Sequence, residues 1–414
     1  MIAMNIYLII VLILLIGDYL LSFFIEKANL SALRLDVPDE FKDIYDGEKY
    51  KKSQQYLKDN TAFSLVVAGI FLAATVLFIL LGGFNVIDCF ARSFGRGSIV
   101  TGLIFAAALL LLSEFAGVFS SAYHTFVIEQ KYGFNRTSVK TFIADIIKKL
   151  LLTFIVGGPI FALILWFFGA AGKLAWIYCW VATVLFELFV VFISPIFIMP
   201  MFNKFVPLEE GELKSAIEAY AKNHNFAMQG VYTMDGSKRS SKSNAFFAGF
   251  GRSRRIALYD TLIKQHTTDE LVAILAHEMG HYKLKHILKQ LMMSILTTGL
   301  MFAFLSRFLN NPGLFAAFKM EHLSIYASLI FFGFLFSPIQ TIISVITHYF
   351  SRKYEFEADA YAAKTFGKPQ AMIDALKKLS VNNLSNLSPH PLKVFFAYTH
   401  PPVLERIRAL RKSC

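Results

Sequence analysis

The sequence predicts a mainly α-helical, polytopic membrane protein of seven transmembrane helices, and three observations predict it. Of its 414 residues, 56% are apolar and 17% charged, where an ordinary soluble domain is about 25% charged. Seven stretches, 6–24, 63–81, 99–118, 150–168, 176–199, 287–308 and 325–350, are mostly apolar and reach the roughly 20 helical residues that a hydrocarbon core about 30 Å thick demands. Lysine and arginine then alternate between connections, as they do when basic residues are retained on the cytoplasmic side.

The first stretch begins almost at the N-terminus without a basic leader or a small-x-small cleavage site, so it reads as an anchor helix and not a removable signal. The odd-numbered connections hold 7 basic residues (25–62), 5 (119–149) and 12 (201–286), the tail after Phe350 holds 11, and the even-numbered connections hold 2, 1 and 1. Seven spans with that alternation place the N-terminus outside and the C-terminus in the cytoplasm. Most of the formal +12 charge is therefore a topology signal and gives no reason to expect nucleic acid. A basic cytoplasmic face suits anionic membrane lipid as a partner. Cys89, Cys179 and Cys414 lie too far apart, and are too few, for a disulfide framework. No internal repeat marks a solenoid or an inverted-repeat transporter.

Two regions are long and polar enough to fold outside the bilayer: 201–286 and the tail 351–414. Thr267 to Glu270 in the first of them has a capping-box pattern and precedes LVAILAHEMGH, a run of helix formers. On that helix His277 and His281, four residues apart, project from one face and can aim at a single ion, as the H-E-x-x-H zinc motif requires. Glu278 beside them can take a proton from water activated by the metal. Chance produces such a spacing in about one chain of this length in a hundred.

A second cluster, YEFEADAYA after the seventh stretch, offers Glu355, Glu357 and Asp359 as the third ligand. A catalytic zinc usually takes three protein ligands and keeps one position open. His281 precedes the sixth stretch by about six residues and Glu355 follows the seventh by about five, so both lie within roughly 10 Å of the same membrane boundary. Glu355 and Asp359 share a helix face, and Glu357 is about 200° round from Glu355. Only one glutamate can face the ion, and Asp359 is placed to accept a proton from a ligand histidine if that glutamate is Glu355. Asp18, Glu114 and Glu187 fall inside apolar stretches, where an ionisable group normally faces a polar interior.

Five pieces of the chain, HEMGH at 277–281, FEADAYA at 356–362, GSKRSSKSNAFFAGF at 236–250, FNKFVPL at 202–208 and HPPVLERI at 400–407, together resemble the type 1 CAAX prenyl proteases, integral-membrane zinc endopeptidases of the sterile-24 kind. The similarity runs along most of the chain. It implies seven helices enclosing a water-filled chamber, with one zinc near the cytoplasmic end. By matching motif positions it implies Glu355 as third ligand, and Asn244, Ala245 and Phe246 on an edge strand that holds an extended substrate. It also implies His400 and Arg406 as donors to the tetrahedral intermediate. Relatives of this kind remove the last three residues after a prenylated cysteine, so the expected partner is a peptide or C-terminal protein tail, with or without a prenyl group.

The domain division that follows is 1–200 for the first five spans, 201–286 for the segment carrying HEMGH, 287–350 for the last two spans, and 351–414 for the tail completing the zinc site. The compact chain and the short connection between the sixth and seventh spans suggest a bacterial inner membrane, with the endoplasmic reticulum as the eukaryotic counterpart. Competing readings are a quality-control membrane protease of the HtpX kind, a site-2-type intramembrane protease and a seven-helix transporter or receptor. The first has a shorter chain, the second buries its motif inside a span, and the third gives no reason for two ligand clusters at one depth.

Overall fold

The computed structural model describes residues 5–34, 36–226, 228, 230–248 and 255–412, with the backbone alone at 246–248. Among the described residues seven helices are long and apolar enough to cross a membrane: Ile6–Ser31, Gly47–Leu80, Ser98–Tyr132, Val139–Ala170, Gly172–Phe202, His286–Phe308 and Ile325–Phe366. They are the seven spans that hydropathy predicts, and several run well past the apolar stretch into the polar regions. The seventh is a continuous helix of 42 residues, so the apolar wall and the YEFEADAYA cluster lie on one rod.

The spans bury little against one another. In the most apolar window of each, between 0 and 17% of the residues are buried, and the whole chain exposes 21535 Å². A compact globule of this mass exposes about 16,000 Å². The surplus of about a third reflects long helices that leave most of their surface unburied. Polar side chains on the spans line separate cavities. Glu114 accepts a hydrogen bond from Lys149 at 2.6 Å on the wall of a cavity of about 630 Å³, and Asp18 lines another of about 420 Å³ with Gln340, Ser344 and His348.

At one end of the spans Asn5 donates to the Gly313 carbonyl at 2.7 Å and Asn85 to Glu321 at 3.0 Å. The start of the first span and two even-numbered connections are thus held together there. At the other end the polar regions fold. Strands β1 (Phe205–Pro207), β2 (Gly230–Met234), β3 (Ala245–Ala248) and β4 (Arg255–Tyr259) form one sheet in the order β1-β2-β4-β3. β2 and β4 run parallel and the other pairs antiparallel, with Phe246 opposite Ala257. β3 is therefore an edge, with one side unpaired among the described residues.

The motif helix, Thr268–Lys283, starts on the capping box read from the sequence: Thr267 accepts from the Glu270 backbone and Glu270 from the Thr267 backbone, a cap worth about 1 kcal/mol. Its residues from Glu270 to Ala276 are all buried, because the LVAILA run is apolar all round and must be enclosed on every side. Leu271, Leu275 and Met279 pack with Ile217, Val231, Ile256 and Leu258 in a cluster that also takes Ala362 and Ala375. Residues 207–279 and the end of the chain thus share one core.

Two further attachments are not evident from hydropathy. Phe41 and Tyr45, before the second span, and Tyr50, in its first turn, pack against Met372, Leu376, Ile407 and Leu410. The SKRSSK segment is pinned to the third and fourth spans: Arg239 grips Asp145 with two hydrogen bonds of 2.7 and 2.8 Å, and Lys242 reaches Glu129 at 3.0 Å. The strand that follows this segment is β3, so those ties fix its place relative to the third and fourth spans.

Candidate metal centre

Two helices build the site by crossing. The motif helix brings His277 and His281, and the C-terminal end of the seventh span brings Glu355. Their ligand atoms all lie within 4.8 Å of one another. The crossing is close because Gly280 has no side chain: a Cβ there would meet the Ala358 Cα at 3.1 Å and its carbonyl oxygen at 3.2 Å. Backbone cannot rotate aside, so Gly280→Ala is expected to force the helices apart and cost about 1–3 kcal/mol. A lower melting temperature and weaker metal retention in detergent would show it. Unchanged values in both would mean that the crossing is not tight.

Each ligand histidine is oriented. His277 Nδ1 lies 2.8 Å from Asp359 Oδ1, and with that nitrogen donating, Nε2 presents a lone pair. The His277 and His281 Nε2 atoms face each other at 3.1 Å, and Glu355 lies 3.4 Å from the first and 3.3 Å from the second. Glu355 Oε2 is buried without a hydrogen-bond partner. Two converging lone pairs and an orphaned carboxylate oxygen suit a divalent cation with an N,N,O donor set, which is a zinc set with room for a fourth position. An ion entering this set has to displace a proton. Burial opposes charge on His277, yet the hydrogen bonds to Asp359 and Glu355 outweigh it and push the imidazole up to about 9.

Glu278 is half-buried beside the first histidine, and its side chain takes no hydrogen bond among the described residues. Burial pushes its carboxyl up, against the pull of His277 and His281. Arg406 closes the far side. It forms two hydrogen bonds to Asp359, of 2.7 and 2.6 Å, and its Nη1 lies 3.3 Å from Glu355 Oε2. His400 differs in being 63% exposed, with Nε2 3.4 Å from Glu355 Oε1. A cleft of about 580 Å³ opens beside it, lined by Asn244, Asn383, Tyr398, His400 and Arg406 among others.

The structure thus brings together His277, Glu278, His281, Glu355, Asp359, His400 and Arg406. Ala245 and Phe246 lie on edge strand β3, though the Phe246 side chain falls outside the described residues. Asn244 directly precedes the strand and its carbonyl accepts from the Tyr259 amide at 3.2 Å. Asn383 holds the approach to that strand by bonding both the amide and the carbonyl of Ser243, at 3.1 and 3.2 Å. Sequence reasoning passed over Asn383, and also His286, which is 1% exposed and packs against His281. The backbone leaves the motif helix at Lys285 with φ 59°, so no helical period links the two histidines. The only signal was a third histidine five residues after HEMGH.

Residues 27–204 match the family described as CAAX prenyl protease N-terminal, five membrane helices, and residues 207–413 match Peptidase family M48. The chain is 34% identical to a CAAX prenyl protease 1 homolog of Mus musculus, over 91% of this chain and 89% of that protein. It is also 34% identical to the CAAX prenyl protease 1 of Saccharomyces cerevisiae, over 93% and 90%. The crystal structure of S. mikatae Ste24p superposes with a TM-score of 0.93 at 32% identity, covering 98% of this chain and 99% of that one.

Proposed function

The chain belongs to the CAAX prenyl protease 1 family, and from that premise we propose that it cleaves the C-terminal tails of CAAX-type proteins, with or without a prenyl group on the cysteine, using one zinc per chain. It is an integral, multi-pass membrane metallopeptidase. The observation that carries the finer reading is the convergence of His277, His281 and Glu355 within 4.8 Å, with a carboxylate beside them and an edge strand alongside.

In this reading His277, His281 and Glu355 hold the ion, which when bound supplies Lewis acidity to the scissile carbonyl and makes water acidic enough to deprotonate near neutrality. Glu278 takes the proton from the attacking water and returns it to the leaving amine. β3 aligns the tail, the Asn244 to Phe246 backbone adding it as one more strand. His400, open to the cleft, donates to the developing oxyanion, and Arg406 lends its positive charge from behind Glu355. Asp359 holds the tautomer of His277 and is itself gripped by Arg406.

Mass spectrometry of products from matched prenylated and unprenylated peptides tests the substrate class. Release of the last three residues from the prenylated peptide, lost on chelation, is expected. Cleavage only at internal sites, or of neither peptide, overturns the reading.

The orientation follows from the basic residues: N-terminus outside, metal site in the cytoplasm, whether the host membrane is a bacterial inner membrane or the endoplasmic reticulum. Single cysteines at the exposed positions of Arg96, Lys173 and Lys319 are expected to react with an impermeant reagent from outside, and those at Arg136, Lys140 and Lys364 to be protected. The reverse pattern inverts the topology.

A further inference from the structure

His286 opens the sixth span, just past the break at Lys285 that ends the motif helix. It is 1% exposed and its ring stacks on Tyr354 at 4.3 Å with 13° between planes. Burial alone would make it a core histidine, but both its nitrogens are engaged. Nε2 lies 2.9 Å from Glu357 Oε2, and Nδ1 lies 3.1 Å from His281 Nδ1.

A carboxylate can only accept, so Nε2 carries the proton and donates it to Glu357. A neutral imidazole then has an unprotonated Nδ1, which can only accept from His281. His281 Nδ1 in turn must carry its proton, and its Nε2 is left as a lone pair. That lone pair is the atom that faces His277 Nε2 at 3.1 Å and Glu355 at 3.3 Å. One carboxylate thus fixes two rings in sequence.

We infer that His286 and Glu357 are positioning residues for His281: a hydrogen-bonded chain from Glu357 through His286 sets the tautomer and direction of the second metal ligand. The inference rests on the metal-site reading above and extends it. The two ligand histidines are oriented by two different arms of the same helix. Asp359 acts on His277 directly, and Glu357, on the opposite face from Glu355, acts on His281 through an inserted ring. The insertion is needed because Glu357 points away from the ion and cannot reach His281 itself. Glu357 also has Lys353 Nζ 3.8 Å away on its exposed side, so its charge is not isolated.

Zinc affinity of the detergent-purified full chain, read by competition with a chromophoric chelator, tests this. Glu357→Ala and His286→Phe are each expected to weaken zinc binding by about 10- to 100-fold, the range for lost partners of ligand histidines. Phenylalanine keeps the ring that stacks on Tyr354 but offers no nitrogen, so a role in packing alone predicts unchanged affinity for His286→Phe. The double variant is expected to match the weaker single, because both break one chain. Glu357→Gln keeps an acceptor oxygen and should fall between wild type and Glu357→Ala. With zinc saturating, KM for peptide should stay at the wild-type value. Wild-type affinity in both single variants overturns the relay alone. A wild-type chain that takes up no zinc overturns the metal site and the relay with it.

Discussion

Glu278→Gln is expected to abolish peptide cleavage while leaving about one zinc bound per chain. The side chain accepts no hydrogen bond among the described residues and is not one of the three converging ligands, so nothing in the site depends on it for metal retention. Its proposed role is different: the carboxylate beside the first ligand is placed to move a proton between water and the leaving amine. Proton transfer by a placed side chain is worth about 10²- to 10⁴-fold in rate, and the amide is nearly isosteric but cannot accept a proton. Burial that raises its pKa makes a stronger base than an exposed glutamate. Turnover of a labelled peptide and zinc content by plasma emission are the two readings. Loss of zinc together with activity would make Glu278 a ligand and refute the role.

Glu355→Ala is expected to lose both zinc and activity, and Asp359→Asn to keep the metal only at high zinc. Glu355 supplies the oxygen of the donor set, and its buried Oε2 accepts no hydrogen bond. Without it Arg406 Nη1, 3.3 Å away, loses a neighbouring charge in a buried place. Asp359 accepts from His277 and from Arg406 through two hydrogen bonds. The asparagine still offers one acceptor, so a loss of about 10- to 100-fold in metal affinity is expected. Alanine there would be worse, because stripping the partner of a buried charge costs about 3–5 kcal/mol and would confound folding with binding. If Glu355→Ala retains zinc, the third ligand lies elsewhere and the proposed site is wrong.

The spans were legible because hydropathy needs only composition along a window, and the motif helix because Thr267 and Glu270 announce its start chemically. The third ligand was narrowed by helical geometry and then chosen by resemblance, since period alone left Glu355 and Glu357 as alternatives. What stayed hidden depends on tertiary contact between segments distant in sequence. Phe41, Tyr45 and Tyr50 sit in a charged connection, and nothing local says that they cover the far end of the chain. Lys242 and Arg239 read as ordinary basic loop residues, although each has an acid waiting on the third or fourth span. His286 was hidden by the left-handed residue before it, which breaks the spacing on which helix-face reasoning relies.

The length of the seventh helix has a mechanical consequence. From Ile325 to Glu355 the rod extends about 45 Å, with its far half seated in lipid and its near end supplying a ligand. Pro338 lies inside that stretch, where it removes a backbone hydrogen bond and clashes with the preceding turn, so the rod is weakest there. Bilayer thickness sets helix tilt through hydrophobic mismatch. A change of tilt in the lipid-seated half therefore reaches the ligand-bearing half only through the weakened turn at Pro338.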